Sequence, residues 1–409
     1  MTQLPTPRPG PEAAVEFVAA NLAHLVGDDV AGSPSIRGGQ AAADAALDGY
    51  SVTGYARRRN EVYPASRRGA SRLSPYIRHG LLTLPEVWRH VTGGPERDVD
   101  TFQQELLWQE YARHWYARLG TATAVGTKAE LAAVGPGEWE RDLPCLDLVV
   151  GELERDGWLV NQTRMWLASH WTIRTGGRWQ DGEDHFFRHL LDGSRAANRL
   201  GWQWTTGVGS SKPYGFSRWQ VEKRAPGLCA DCPHRHRCPI EDWPDEPERL
   251  PVDQPAALRT DPDPEATAGP PTPVGAGLGE IVWLTAESLG RDDPALATDV
   301  DRPAVFVFDE PLLARLQLSA KRLVFLTETL AELALDRPLE LHLGRPTEVL
   351  GGRPLAATVA PVPGFRRRAA QLDVVEQHPW PWLVRPFGGS VASFSAWRRG
   401  ATRHMSLPR

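Results

Sequence analysis

Cys229, Cys232 and Cys238, with His234 and His236 between them, fall within the stretch CADCPHRHRCP at 229–239. Thiolates and imidazoles this close read as a metal site, and C-x2-C-x5-C with two histidines suggests zinc in a small structural knuckle. The one other cysteine, Cys145, lies far upstream. Glu105 and Trp108 stand three apart, so on a helix they share one face and set a carboxylate beside a large ring. Sixteen tryptophans is a high count for 409 residues. Tryptophan packs cores, stacks on bases and carries electrons, so the count alone selects none of these.

The elements that must carry these residues fall into two parts. The stretch Glu241 to Glu280 is rich in proline and acid and reads as a linker that buries no core. Before it, apolar spacing of three and four in TFQQELLWQEYARHWYARLG marks a helix, and CLDLVVGELERDGWLVNQTRMWLASHW reads as two helices broken at Asp156-Gly157. No strong strand is expected there. After it, EIVWL, AVFVF, LELHL and LAATVAPV are short runs rich in β-branched and aromatic residues, and SAKRLVFLTETLAELA has helical period. Strands alternating with helices predict a parallel α/β sheet. No glycine-rich phosphate loop follows the first strand, which argues against a dinucleotide site of that type. The expected division is a helical body at 1–240, a linker at 241–279 and an α/β body at 280–409.

Charge is uneven along a chain of net charge −5. Arg57, Arg58, Arg59, Arg67, Arg68, Arg72 and Arg78 stand against one acid, Glu61, whereas 241–270 holds nine acids and two arginines. The basic strip is either a solvated face or a surface for phosphates. No eighteen-residue apolar run occurs, MTQLPTPRPGPEAAVEF does not read as a secretory leader, and four cysteines are not expected to make a disulfide scaffold. The expectation is a reducing, cytoplasmic setting.

LLDGSRAANRLGWQWTTG, Leu190 to Gly207, resembles the flavin-binding domain of the DNA photolyase and cryptochrome family, which carries a pattern close to DGD-x-A-x-N-x-x-x-WQW. SRLSPYIRHG, FQQELLWQEYARHW and GWLVNQTRMWLASHWTI resemble three further family segments in the family's order. EIVWLTAESLGRDDPALA resembles the family's opening strand and loop, and VASFSAWRR the piece that closes its α/β domain. In the family that domain comes first, so the resemblance implies a circular permutant, an all-α FAD-binding domain followed by a Rossmann-like α/β domain. Permutation is tolerated where termini lie on the surface.

The resemblance implies FAD held by Ser71, Arg72, Leu73 and Ser74 at its diphosphate. It sets the Arg164–Asp192 ion pair against the flavin ring and Asn198 facing the flavin N5, where an amide can donate or accept. Ala70 replaces a family threonine. Glu105, Trp108, Asn161, Met165 and Trp204 match contacts to a lesion in UV-damaged DNA. Val160 and Asn161 stand where (6-4) photolyases carry a histidine pair, which favours cyclobutane dimers, and Gln162 replaces an arginine. Trp202 and Trp179 match the inner two tryptophans that reduce the excited flavin. Cys145, Cys229, Cys232 and Cys238 match the ligands of a [4Fe–4S] cluster in one bacterial branch, which uses every cysteine. The implied activity is a blue-light-driven DNA photolyase acting as a monomer, with a cryptochrome-like photoreceptor as the alternative. The family's RRDLR is lost from IVWLTAESLGR, so no antenna pigment is assigned.

Overall fold

The computed structural model describes residues 1–406. Nine strands run in chain order: β1 (Thr2–Leu4), β2 (Ala129–Leu131), β3 (Arg249–Pro251), β4 (Val274–Gly275), β5 (Ile281–Leu284), β6 (Ala304–Asp309), β7 (Leu339–Gly344), β8 (Leu355–Thr358) and β9 (Val374–His378). Seven form one sheet in the order β1-β7-β6-β5-β8-β9-β4. The inner five are parallel, and β1 and β4 close the two edges antiparallel. All four residues of β5 are buried, as a central strand covered on both faces requires. The chain leaves β5 for β6 and β7 on one side and returns to β8 and β9 on the other, a doubly wound order.

Helices dominate the first part. The longest, Glu96–Leu119, starts just after Pro95 with Glu96 and Asp98 in its first turn and stops at Gly120, whose φ of 57° few other residues tolerate. Pro144–Asp156 begins with proline in its first turn and ends at left-handed Gly157, φ 68°. Arg195–Thr206 ends the same way at Gly207, φ 82°. It packs on Glu96–Leu119, Asn161–Ser169 and Trp179–His189, and so gathers the helices that carry the residues of interest.

Three observations differ from the sequence reading. Thr2–Leu4, expected in the helical body, joins the sheet beside β7. Ala129–Leu131 pairs with Arg249–Pro251 across the expected 240/241 boundary. Three residues are too few to show alternation, so neither strand was legible. The 241–279 stretch is also no loose tether. Leu258 is buried, Asp261 accepts from the Arg118 guanidinium at 3.0 Å, Asp263 caps a short helix at Pro264–Ala268, and β4 pairs with β9. Of the expected 280–409 body, residues 407–409 lie outside the described residues.

The sheet body is docked on the helices through a shared core and buried polar contacts. The His79 ring sits 2.7 Å from the Ala286 carbonyl and the His114 ring 2.7 Å from that of Val384. Tyr111 donates to the Val391 carbonyl at 2.8 Å, and buried Arg322 to that of Gly193 at 3.0 Å. Each satisfies a polar group that burial would otherwise leave costly.

Candidate functional site

The residues assigned to FAD come from three places. Ser74 opens the short helix Ser74–Arg78, and its hydroxyl accepts from the Trp158 indole at 3.1 Å. Ser71 accepts from the Leu73 amide at 3.4 Å, and Leu73 is fully buried. Arg72 between them has φ 61°, a sparsely populated conformation for a residue with a side chain. It lies 5.2 Å above the Trp158 ring and donates to the Ser35 hydroxyl at 2.7 Å. Backbone strain held by surrounding contacts is characteristic of ligand clamps.

Arg164, on Asn161–Ser169, donates to Asp192 at 2.7 Å. The other Asp192 oxygen is buried and has no partner. Asn198 is 5% exposed, and its amide nitrogen likewise has none. Buried donors and acceptors are nearly always paired, so these two atoms mark a place for a polar ligand. The chemistry of the set fits a flavin: one acceptor beside a guanidinium and one amide that can serve either state of a ring nitrogen.

Glu105 and Trp108 share a face of the Glu96–Leu119 helix, and both are engaged within the chain. Glu105 forms an ion pair with Arg59, a member of the basic strip whose link to Glu105 the sequence did not reveal. Trp108 stacks on Phe394, with ring centroids 4.0 Å apart and planes 9° from parallel. The face expected to receive a base is thus occupied by a side chain from the last helix, Phe394–Ala401. Met165 is half-buried, Asn161 is exposed, and Trp204 is 42% exposed beside Tyr214 at 6.2 Å. Gln162 is buried and donates to the Tyr214 hydroxyl at 2.8 Å, so it holds the core rather than facing solvent. The arginine strip is largely engaged internally, through Arg59–Glu105, Arg67–Glu61, Arg68–Glu152 and Arg78–Glu287.

Trp202 and Trp179 are each 2% exposed. Trp202 meets Phe186 edge-on at 5.0 Å, and its indole nitrogen has no partner. Trp179 donates instead to Glu130 at 3.2 Å.

The four cysteines, scattered in sequence, line one small cavity with Leu143, Pro144, Arg218, Val221, Leu228 and Ile240. All four are free thiols. Cys145 lies in the first turn of Pro144–Asp156, where the helix dipole favours a thiolate ligand or an anionic cluster. Burial, followed by the neighbouring Cys229 and Cys238, pushes its thiol up to about 12. Among the described residues no group of three or more His, Cys, Asp or Glu is tight enough for a single ion. His234 faces Asp142 at 3.3 Å and is not among the lining residues. Four thiols at one cavity offer a donor set that suits four-thiolate ligation of an iron–sulfur cluster.

Residues 102–224 match the family described as the FAD binding domain of DNA photolyase. The deoxyribodipyrimidine photo-lyase of Synechococcus sp. is 29% identical over 206 residues, 45% of this chain and 42% of that protein. That of Vibrio cholerae is 30% identical over 171 residues, 37% of this chain and 36% of that protein. A solved structure of a bacterial class III photolyase from Agrobacterium tumefaciens aligns over 56% of this chain and 48% of that one, with 22% identity and a TM-score of 0.41. The chain spans less than half the length of the curated relatives it matches.

Proposed function

We propose that this chain is a light-driven, FAD-dependent DNA photolyase of permuted order. The observation that carries the reading is the Arg164–Asp192 pair together with the unpartnered buried atoms of Asp192 and Asn198, all inside the segment that matches the photolyase FAD-binding domain. Ser71, Arg72, Leu73 and Ser74 would hold the diphosphate, and Arg164, Asp192 and Asn198 the ring system. Bound there, reduced FAD supplies an electron on absorbing blue light. Arg164 compensates the buried Asp192 carboxylate, and the Asn198 amide turns to donate or accept as the ring's protonation requires. Cys145, Cys229, Cys232 and Cys238 would hold a [4Fe–4S] cluster that ties 229–238 to Pro144–Asp156. In this proposal the chain is a monomer in the cytoplasm; among the described residues no helix is long and apolar enough to cross a membrane.

The substrate in this reading is a pyrimidine dimer in DNA, cyclobutane dimers ahead of (6-4) products, because Val160 and Asn161 offer no imidazole acid. Glu105, paired with Arg59, would share hydrogen bonds with the lesion's carbonyl edge, a role that needs a protonated or water-bridged carboxyl, and Arg59 brings a positive charge to the same place. Trp204, exposed, is the stacking ring. A second reading, a photoreceptor without repair, draws on the Phe394 ring that already covers Trp108.

The deciding experiment illuminates the reduced protein with single-stranded DNA containing a cyclobutane dimer. Restored thymines support repair. Bound flavin with no restoration supports the photoreceptor, and a protein that takes up no flavin ends both readings.

A further inference from the structure

Asp192 lies in the connection 190–194, between the helices Trp179–His189 and Arg195–Thr206. The first helix leaves its last carbonyls without intrahelical partners. Much of what holds the connection comes from outside it. The Leu191 amide donates to the Gly157 carbonyl at 2.8 Å. The buried His79 ring lies between the carbonyls of Leu191 and Ala286, 3.2 and 2.7 Å away. The Gly193 carbonyl accepts two hydrogen bonds at 3.0 Å, one from Arg78 and one from Arg322. Ala286 and Arg322 belong to the sheet body, and Arg78 is tied to that body by an ion pair with Glu287 at 2.9 Å.

Arg322 is central to this clamp. It stands in the first turn of Ala320–Asp336 and is 6% exposed. Its Nη2 donates to Gly193 and its Nη1 to the Phe187 carbonyl, in the last turn of Trp179–His189. The planar fork of a guanidinium holds two carbonyls at once, a geometry that an ammonium does not reproduce. The Phe187 ring lies 4.8 Å from the Arg322 guanidinium and 4.0 Å from that of Arg195. Gly193 leaves no slack, because a methyl there would come 2.7 Å from the Leu190 carbonyl and 2.9 Å from Arg322. Burial and the nearby Arg78 work against the charge of Arg322, and Asp192 works for it. Apolar side chains fill a seam without that desolvation cost; what the fork adds is a fixed position for two carbonyls.

We infer that Arg322, supplied by the sheet body, is a positioning residue for the flavin site. By holding the Phe187 and Gly193 carbonyls it fixes the connection that presents Asp192 and the entry to Arg195–Thr206, the helix that carries Asn198. The part of the chain after residue 280 thus finishes a pocket whose proposed ligands all precede it. This deepens the flavin reading above and rests on it.

The test uses the full-length chain and the substitutions Arg322→Gln, Arg322→Lys, Glu287→Gln and Tyr111→Phe. Tyr111→Phe removes a seam hydrogen bond, to Val391, that does not touch the 190–194 connection, and so controls for docking alone. Each variant is read for its dissociation constant for FAD, for amide hydrogen exchange in the peptide spanning 190–194 of the flavin-free chain, and for its urea midpoint. Arg322→Gln is expected to weaken FAD binding on the order of tenfold or more and to speed exchange in that peptide. Arg322→Lys, with the charge and without the fork, should recover part of both. Glu287→Gln should shift both in the same direction by less. Tyr111→Phe should leave both at wild-type values although its midpoint falls. Wild-type affinity and exchange in Arg322→Gln overturn the inference and leave the flavin reading intact. If that variant does not fold, wild-type values in Arg322→Lys and Glu287→Gln do the same. A loss of affinity in Tyr111→Phe equal to that in Arg322→Gln also overturns it, since docking in general would then account for the effect. A wild-type chain that takes up no flavin overturns both.

Discussion

Asp192 is the residue on which the flavin reading leans hardest. One of its oxygens holds Arg164 at 2.7 Å and the other has no partner. Replacing Asp192 with Asn keeps the shape and removes the charge that compensates a partly buried guanidinium, a change worth about 2–4 kcal/mol in such pairs. The expected outcome is a lower urea midpoint in the flavin-free chain and loss of flavin uptake. Unchanged uptake would place the cofactor elsewhere. Gly182 tests the neighbouring ring: a methyl there would sit 2.2 Å from the Trp202 ring. Gly182→Ala should therefore cost about 1–3 kcal/mol by overpacking and alter the Trp202 emission. At this scale much was legible. Arg164 and Asp192 pair as their motifs implied, because the motif encodes both partners. Arg59 beside Glu105 and Phe394 on Trp108 were not, because each joins positions far apart in the chain, and spacing along one helix says nothing of what covers its face.

The thiol site belongs to the scale of elements. C-x2-C-x5-C reads as a ligand run, and the fourth proposed ligand depends on where the Pro144–Asp156 helix begins. Proline in its first turn sets that start and presents Cys145 to the same cavity as the other three. Cys145→Ser is expected to abolish bound iron and sulfide while sparing flavin uptake. Iron and sulfide at wild-type levels in that variant, or stoichiometric zinc in the wild type, would contradict the cluster. The connecting stretch shows the opposite balance. Its composition spoke for disorder, yet Leu258 and Asp261 bury themselves against Arg118 and its neighbours. Composition averages over a stretch, whereas one buried aspartate with a guanidinium partner is enough to fix a loop. The β1 and β2 strands escaped notice for a related reason, since pairing with a distant strand and not local pattern makes them strands.

At the scale of the whole molecule, the docking of sheet on helices is sensitive to acid. Burial holds four histidines neutral: His79, His114 and His189 are lowered to about 3 and His185 to about 4. His79 and His114 lie directly on the seam, against Ala286 and Val384. Each folded value lies below the unfolded value of about 6.5, so the stability they contribute is complete above that pH and is lost as pH falls toward 4–3. Buried acids act the other way: Glu183, raised to about 7, Asp293, raised to about 6, and Glu110, raised by burial, gain on acidification. The four histidines fall to about 3 or 4 and two of them sit on the seam itself, so the urea midpoint should fall from pH 6.5 to pH 4. A midpoint that holds level or rises over that range would show that the seam does not depend on neutral imidazoles. The central claim concerns what the helical body holds. Denaturing the purified full-length chain and identifying the released chromophore tests it most directly. The account predicts stoichiometric FAD, released without covalent attachment and diminished in Asp192→Asn. A colourless chain that releases no flavin, even after incubation with FAD, would contradict it.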